Sequence, residues 1–234
     1  MATKAKKPKK SDLNQTEIVV VLDRSGSMGS IAPATVEGFN KFLNEQQNAE
    51  GEAFITLVQF DDRYEMNYQS VPVKNVSPLI LGESFVPRGS TALLDAIGKT
   101  IEELKTERDV VFVIITDGEE NASKIYKREA INKMIETLQK EDGWKFIFLA
   151  ANQDAIKAGN SIGIQTANSM TYAATAAGAD SAFMSVSSNM SKYRSAKSVA
   201  YRVTSLSKDI DTKLFSDNLN FSDNQRDDQK KEGA

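Results

Sequence analysis

The stretch V-V-V-L-D-R-S-G-S-M at residues 19–28 decides the fold of this 234-residue chain. Five apolar residues, Ile18 to Leu22, end abruptly on Asp23, and two serines flanking a glycine follow. A short apolar run without alternation reads as a strand buried on both faces, as in a parallel sheet covered by helices. The pattern recurs at residues 110–115, which lead into Thr116 and Asp117 of V-I-I-T-D-G-E-E-N, residues 113–121. Both carboxylates are therefore expected where strands leave the sheet, the edge at which open α/β sheets bind ligands.

Working outward, Val36, Phe39 and Leu43 have helical spacing and predict a helix over 32–48, so strand and helix alternate from the start. Segments 53–60 and 63–71 are separated only by the Asp61-Asp62 turn, too short for a crossover, which predicts an antiparallel hairpin at a sheet edge. A helix is expected to begin near Thr91, with Leu94, Ile97, Ile101 and Leu104 on one face. The 110–116 strand follows, then a helix marked by Ile131, Met134, Ile135 and Leu138 and a buried strand over 145–150. A short helix near 153–159, a weak strand near 164–170 and a helix near 175–205 complete the pattern, the last with Phe183, Val186, Met190 and Tyr193 as its buried stripe. The reading is an α/β domain over 16–206 with six strands. Residues 1–15 are Lys-rich and 207–234 polar, and both are expected to be disordered tails. Leu214, Phe215, Leu219 and Phe221 interrupt the second tail, as a docking motif or a last turn against the core.

Composition removes whole classes of chemistry. There is no Cys, hence no disulfide, thiol nucleophile, zinc-thiolate site or iron-sulfur cluster, which fits an intracellular protein. There is no His, hence no Ser-His-Asp triad, His-ligated zinc or imidazole base. A net charge of -3 argues for no partner by itself, and no apolar run approaches the length of a membrane span. The basic N-terminus is not followed by the apolar region of a signal peptide, so a cytoplasmic location without membrane contact is expected.

What remains is hard-oxygen chemistry. Asp23, Ser25 and Ser27, with Thr91 in R-G-S-T-A-L-L-D-A-I (residues 88–97) and Asp117, look like the ligands of one divalent cation. Alternate spacing of the first three, with Gly26 between the serines, lets a tight loop turn three oxygens toward one point. Mg²⁺ takes octahedral oxygen coordination, and neutral hydroxyl ligands leave it electrophilic, with a place open for an outside oxygen.

Asp-x-Ser-x-Ser, a later Thr and a later Asp-Gly, in this order on a strand-helix framework, resembles the metal-ion-dependent adhesion site of the von Willebrand factor type A family, over roughly residues 16–205. The stretches L-D-R-S-G-S-M, G-S-T-A-L-L-D-A-I and I-I-T-D-G-E-E-N-A-S look closest to bacterial and phage members. The resemblance implies a doubly wound, mostly parallel sheet with one antiparallel edge strand and helices on both faces. It implies Asp23, Ser25, Ser27, Thr91 and Asp117 as ligands of Mg²⁺, with Mn²⁺ as the substitute, and an acidic side chain of a partner protein completing the shell.

Each signal also has a plainer reading. A strand ending in Asp and Ser before a helix is an ordinary N-cap arrangement, and either Ser90 or Thr91 is placed to cap the helix after it. Glu119 and Glu120 would enlarge an acidic rim or simply be solvated. Arg24 and Arg88 would clamp a partner's carboxylate or be surface arginines. The favoured function is a metal-dependent protein-binding module, not an enzyme. The alternatives are a Mg²⁺-dependent phosphoester hydrolase, which lacks a base beside the ion, and a nucleic-acid or assembly protein acting through its tails, nucleic acid being met only by the N-terminal lysines.

Overall fold

The computed structural model describes residues 15–204 and 212–232. The two apolar runs form adjacent central strands, β1 (Gln15–Asp23) and β4 (Asp109–Thr116), paired in parallel. Around them lie α1 (Ala32–Asn48), β2 (Glu52–Phe60), β3 (Tyr64–Pro72), α2 (Leu93–Glu103), α3 (Arg128–Thr137), β5 (Lys145–Ala150), α4 (Ala155–Ser161), β6 (Ser169–Thr171) and α5 (Ala176–Thr204). The sheet order is β3-β2-β1-β4-β5-β6, and only the β2-β3 pair is antiparallel. This is the six-stranded, doubly wound sheet expected from the sequence, with the antiparallel strand at its edge.

Burial on both faces explains the unbroken apolar runs. Ile18, Val20 and Leu22 of β1 face one core with Phe39 and Leu43 of α1 and with Phe183, Val186, Met190 and Tyr193 of α5. Val19 and Val21 face the other, with Leu94 and Ile97 of α2 and Ile131 and Ile135 of α3. The edge strand β3 instead alternates half-buried and exposed residues, the pattern of a strand with one face in water.

Three expectations differ in detail. The predicted strand over 164–170 is a 3-10 turn at Thr166–Asn168 followed by the three-residue β6. The helix expected near Thr91 begins at Leu93, which leaves Thr91 in the preceding loop. The region from 207 onward was expected to be a disordered tail, yet within it Thr212–Leu219 forms a 3-10 helix and Asp223–Glu232 a sixth α-helix, α6. Leu219 and Phe221 are buried in the α1/α5 core and Phe215 packs against it, so these apolar residues act as core residues. Polarity was a poor guide here because the polar residues satisfy backbone groups of neighbouring elements. Arg226 donates to the carbonyls of Thr166, Ala167 and Ser169, and Asn189 of α5 donates to that of Asn220. The Lys-rich residues 1–14, residues 205–211 and residues 233–234 lie outside the described residues. No helix among the described residues is long and apolar enough to cross a membrane.

At the amino-terminal end of the strands, Asp109 is buried with Lys197 of α5 at 2.8 Å, with Lys145 of β5 and with the Tyr193 hydroxyl. This ionic knot ties α5 to the sheet at the end away from β1's Asp23.

Candidate metal centre

The strand order reverses between β1 and β4, and Asp23 and Asp117 follow from the carboxyl ends of these two strands. A reversal point opens a crevice at that edge. Asp23 is fully buried. Its Oδ1 accepts from the Ser25 backbone N–H at 2.6 Å, which bends the following loop back over the carboxylate, and its Oδ2 accepts from the Thr116 hydroxyl of the neighbouring strand.

The loop then presents its hydroxyls in series. Ser25 Oγ and Ser27 Oγ are 3.1 Å apart, and Ser27 Oγ donates to Asp117 Oδ1 at 2.6 Å. Thr91 enters the same cluster from the loop before α2. Seen from Gly118, a Cβ at that position would lie 3.1 Å from Thr91 Oγ1, 3.4 Å from Ser27 Oγ and 4.0 Å from Ser25 Oγ. The structure therefore gathers all five residues singled out in the sequence, and three hydroxyl oxygens lie within 4.0 Å of where a Cβ on Gly118 would sit, a cradle over the glycine.

Electrostatics disfavour two bare carboxylates here. Burial pushes the Asp23 pKa up to about 6 despite the donors Thr116 and Ser25, and nearby Asp117 adds repulsion. Burial likewise raises the Asp117 pKa, against its bond from Ser27. A cation would offset both effects. Among the described residues no group of three or more His, Cys, Asp or Glu side chains is placed to hold a metal ion, and the two acids here are accompanied by hydroxyls. The set of two acids and three hydroxyls around an open cradle fits a hard divalent ion.

Surrounding groups that sequence reasoning underrated hold these loops in register. Glu120, read as a rim or solvated acid, accepts from the N–H groups of Leu94, Ala122 and Ser123 and from the Ser123 hydroxyl. Ser123 Oγ accepts from Asp95 N, so α2 is capped by a distant loop and by neither Ser90 nor Thr91. Asn121 accepts from Thr91 N, and the Asn121 and Ala122 N–H groups donate back to Thr91 O. The β5-α4 loop contributes Asn152 and Gln153, which donate to the carbonyls of Asp117 and Gly118. Only the D-G-E-E-N-A-S spelling hinted at this, since its hydrogen-bonding partners lie some thirty residues away in sequence.

The two arginines are not free clamps. Arg24 is buried and paired with Asp61 and Glu65, and the half-exposed Arg88 pairs through Nε with the same Asp61.

The sequence profile of the von Willebrand factor type A domain matches residues 17–186. The chain belongs to this family. No curated protein sequence matches this von Willebrand factor type A chain. Among solved structures it is similar to proximal thread matrix protein 1 from the mussel byssus, at 16% identity and a TM-score of 0.54, over 74% of this chain and 45% of that one. Another structure of that mussel protein, described as having a zinc-occupied metal-ion-dependent adhesion motif, aligns at 16% identity and a TM-score of 0.50 over 80% of this chain and 46% of that one. The ArnB paralog VWA2 from Sulfolobus acidocaldarius aligns at 17% identity and a TM-score of 0.50, over 74% and 44%. At these identities the likeness is one of fold. This chain spans just under half the length of those proteins.

Proposed function

We propose that this von Willebrand factor type A domain is a Mg²⁺-dependent protein-binding module in which an Asp or Glu of a partner completes the coordination of the ion. The observation that carries the reading is the convergence of Ser25, Ser27 and Thr91 hydroxyls with the Asp23 and Asp117 carboxylates around the Gly118 cradle. In it, Asp23, Ser25, Ser27, Thr91 and Asp117 hold the ion, directly or through water, and Mn²⁺ substitutes for Mg²⁺. Two carboxylates neutralise a divalent ion only formally, and hydroxyls add no charge, so the ion keeps a strong preference for a further anionic oxygen. The family often mediates metal-dependent protein association, and a mussel protein of similar fold is described with zinc in its metal-ion-dependent adhesion motif, which supports a divalent site here.

The reading is of a non-enzyme. A hydrolase needs a base or nucleophile beside the ion, and the carboxylates and hydroxyls in reach are those assigned to the metal. We further place the protein in the cytoplasm of a bacterial or phage system, with the Lys-rich N-terminal segment secondary to the metal edge. The test is a pull-down with wild-type and Asp23→Ala protein in Mg²⁺ and in EDTA. A partner retained only by wild type in Mg²⁺, and lost when one of its acids becomes Asn or Gln, fits the proposal. A partner held equally in EDTA contradicts it, as does turnover of a generic phosphoester by wild type but not by Asp23→Ala.

A further inference from the structure

Asp61 closes the turn between β2 and β3, outside the five oxygen-bearing groups, and is fully buried. Its Oδ2 accepts from two guanidinium groups at once, Arg24 Nε at 3.1 Å and Arg88 Nε at 2.8 Å. Its Oδ1 accepts from Arg63 N at 2.7 Å, and its backbone carbonyl accepts from Ala92 N at 2.9 Å. Arg24 sits between Asp23 and Ser25, Arg88 lies three residues before Thr91, and Ala92 directly follows Thr91. One acid thus touches the Asp23–Ser27 loop and the loop before α2 together.

The two loops are also joined to each other beside it. Arg88 N donates to Arg24 O at 2.8 Å, and Gly26 N to Gly89 O at 3.1 Å. Gly89 has a φ of +67°, which side chains rarely adopt, and a Cβ there would meet the exposed Asp62 carboxylate, so the β2-β3 turn abuts the loop before α2. Arg24 Nη2 finds no hydrogen-bond acceptor among the described residues, which leaves Asp61 and Glu65 as the groups that compensate a buried cation.

We propose that Asp61 is a positioning residue for the metal centre: by holding Arg24 and Arg88 on one oxygen, it sets the spacing between the Asp23–Ser27 loop and Thr91. The inference rests on the metal reading above and extends it to a residue that does not touch the ion. Groups that orient metal ligands typically control affinity by ~10- to 100-fold.

Arg88 separates this account from simple charge effects. Removing a positive charge near a cation site strengthens cation binding by Coulomb's law, whereas breaking the bracket weakens it. The experiment is a Mn²⁺ titration of the full chain, with free Mn²⁺ followed by electron paramagnetic resonance and bound Mn²⁺ by water-proton relaxation. Wild type, Asp61→Asn and Arg88→Gln are compared after circular dichroism confirms folding. Both variants are expected to bind Mn²⁺ ~10-fold or more weakly, with higher relaxivity per bound ion as a loop hydroxyl gives way to water. If Asp61→Asn fails to fold, Arg88→Gln, altered at a half-exposed side chain, decides alone. Wild-type binding with equal or tighter binding by Arg88→Gln overturns the inference and leaves the metal reading intact. Absence of Mn²⁺ binding by wild type overturns both.

Discussion

The Ser27 hydroxyl donates to the Asp117 carboxylate at 2.6 Å, joining two loops whose residues are 90 apart in sequence. In that bond the hydroxyl proton occupies the side of Asp117 that faces the Ser25-Ser27 pair. A divalent ion placed among the same oxygens requires the serine to turn its lone pair inward and its proton away. The arrangement is a set of oxygens held together by protons where a cation can replace them.

Metal addition is therefore expected to stabilise the fold. With Mg²⁺ at a hundredfold excess over its dissociation constant, wild type should gain about 2.7 kcal/mol and melt correspondingly higher. Asp23→Ala with Ser25→Ala should lose the gain yet stay folded in EDTA, because the Asp23 charge is disfavoured by burial and by Asp117. Thermal melts of both proteins with and without Mg²⁺ check this. A Mg²⁺-dependent rise in the double variant would mean that the ion sits elsewhere.

Gly118→Ala probes the cradle itself. Its φ is not in the left-handed region, so the backbone tolerates alanine, but the new methyl would lie 3.1 Å from Thr91 Oγ1 and 3.4 Å from Ser27 Oγ. Ion affinity by calorimetry should fall ~10-fold with a melting temperature close to wild type. Unchanged affinity would show that the hydroxyls do not share one ion.

The pH dependence of stability should carry the signature of Asp109. Burial alone raises its pKa, but Lys197 and Lys145 more than reverse this and leave it below 3.8. A carboxyl whose folded pKa is depressed contributes stability that is complete above the unfolded value and is lost as pH falls through the folded one. Asp109→Asn should cost about 3–5 kcal/mol near neutrality, because it removes the carboxylate that compensates the buried Lys197 ammonium. Urea unfolding should show the gap between wild type and variant shrinking once the pH drops below about 4. A gap independent of pH would contradict the assignment.

The carboxyl-terminal segment should behave as part of the fold. Leu219 is buried in the α1/α5 core, so Leu219→Ala should destabilise by about 2–5 kcal/mol in the main unfolding transition. An exposed tail residue would cost nothing measurable in the same urea titration.

Much of this was legible in the sequence because burial on two faces writes itself as unbroken apolar runs. Ile18–Leu22 and residues 110–115 announced the central strands, and the short Asp61-Asp62 turn announced the antiparallel edge. The five oxygen-bearing residues were legible because each sits next to such a strand or helix boundary. The bracket at Asp61, the Glu120 cap on α2 and the packing of residues 212–232 were not. Each depends on which distant carbonyl, N–H or guanidinium a polar side chain meets, and local spacing does not encode that. The three-residue β6 was too short to be set apart from the turn before it.

The most direct test of the central claim is anomalous diffraction from crystals of the chain grown with Mn²⁺. The account predicts one strong peak at the carboxyl edge between β1 and β4, about 2.0–2.2 Å from the oxygens that ligate directly among Asp23, Ser25, Ser27, Thr91 and Asp117, with an acidic side chain or water at the outward position. A peak at another acidic surface, or no ordered peak between those strands at saturating Mn²⁺, would contradict it.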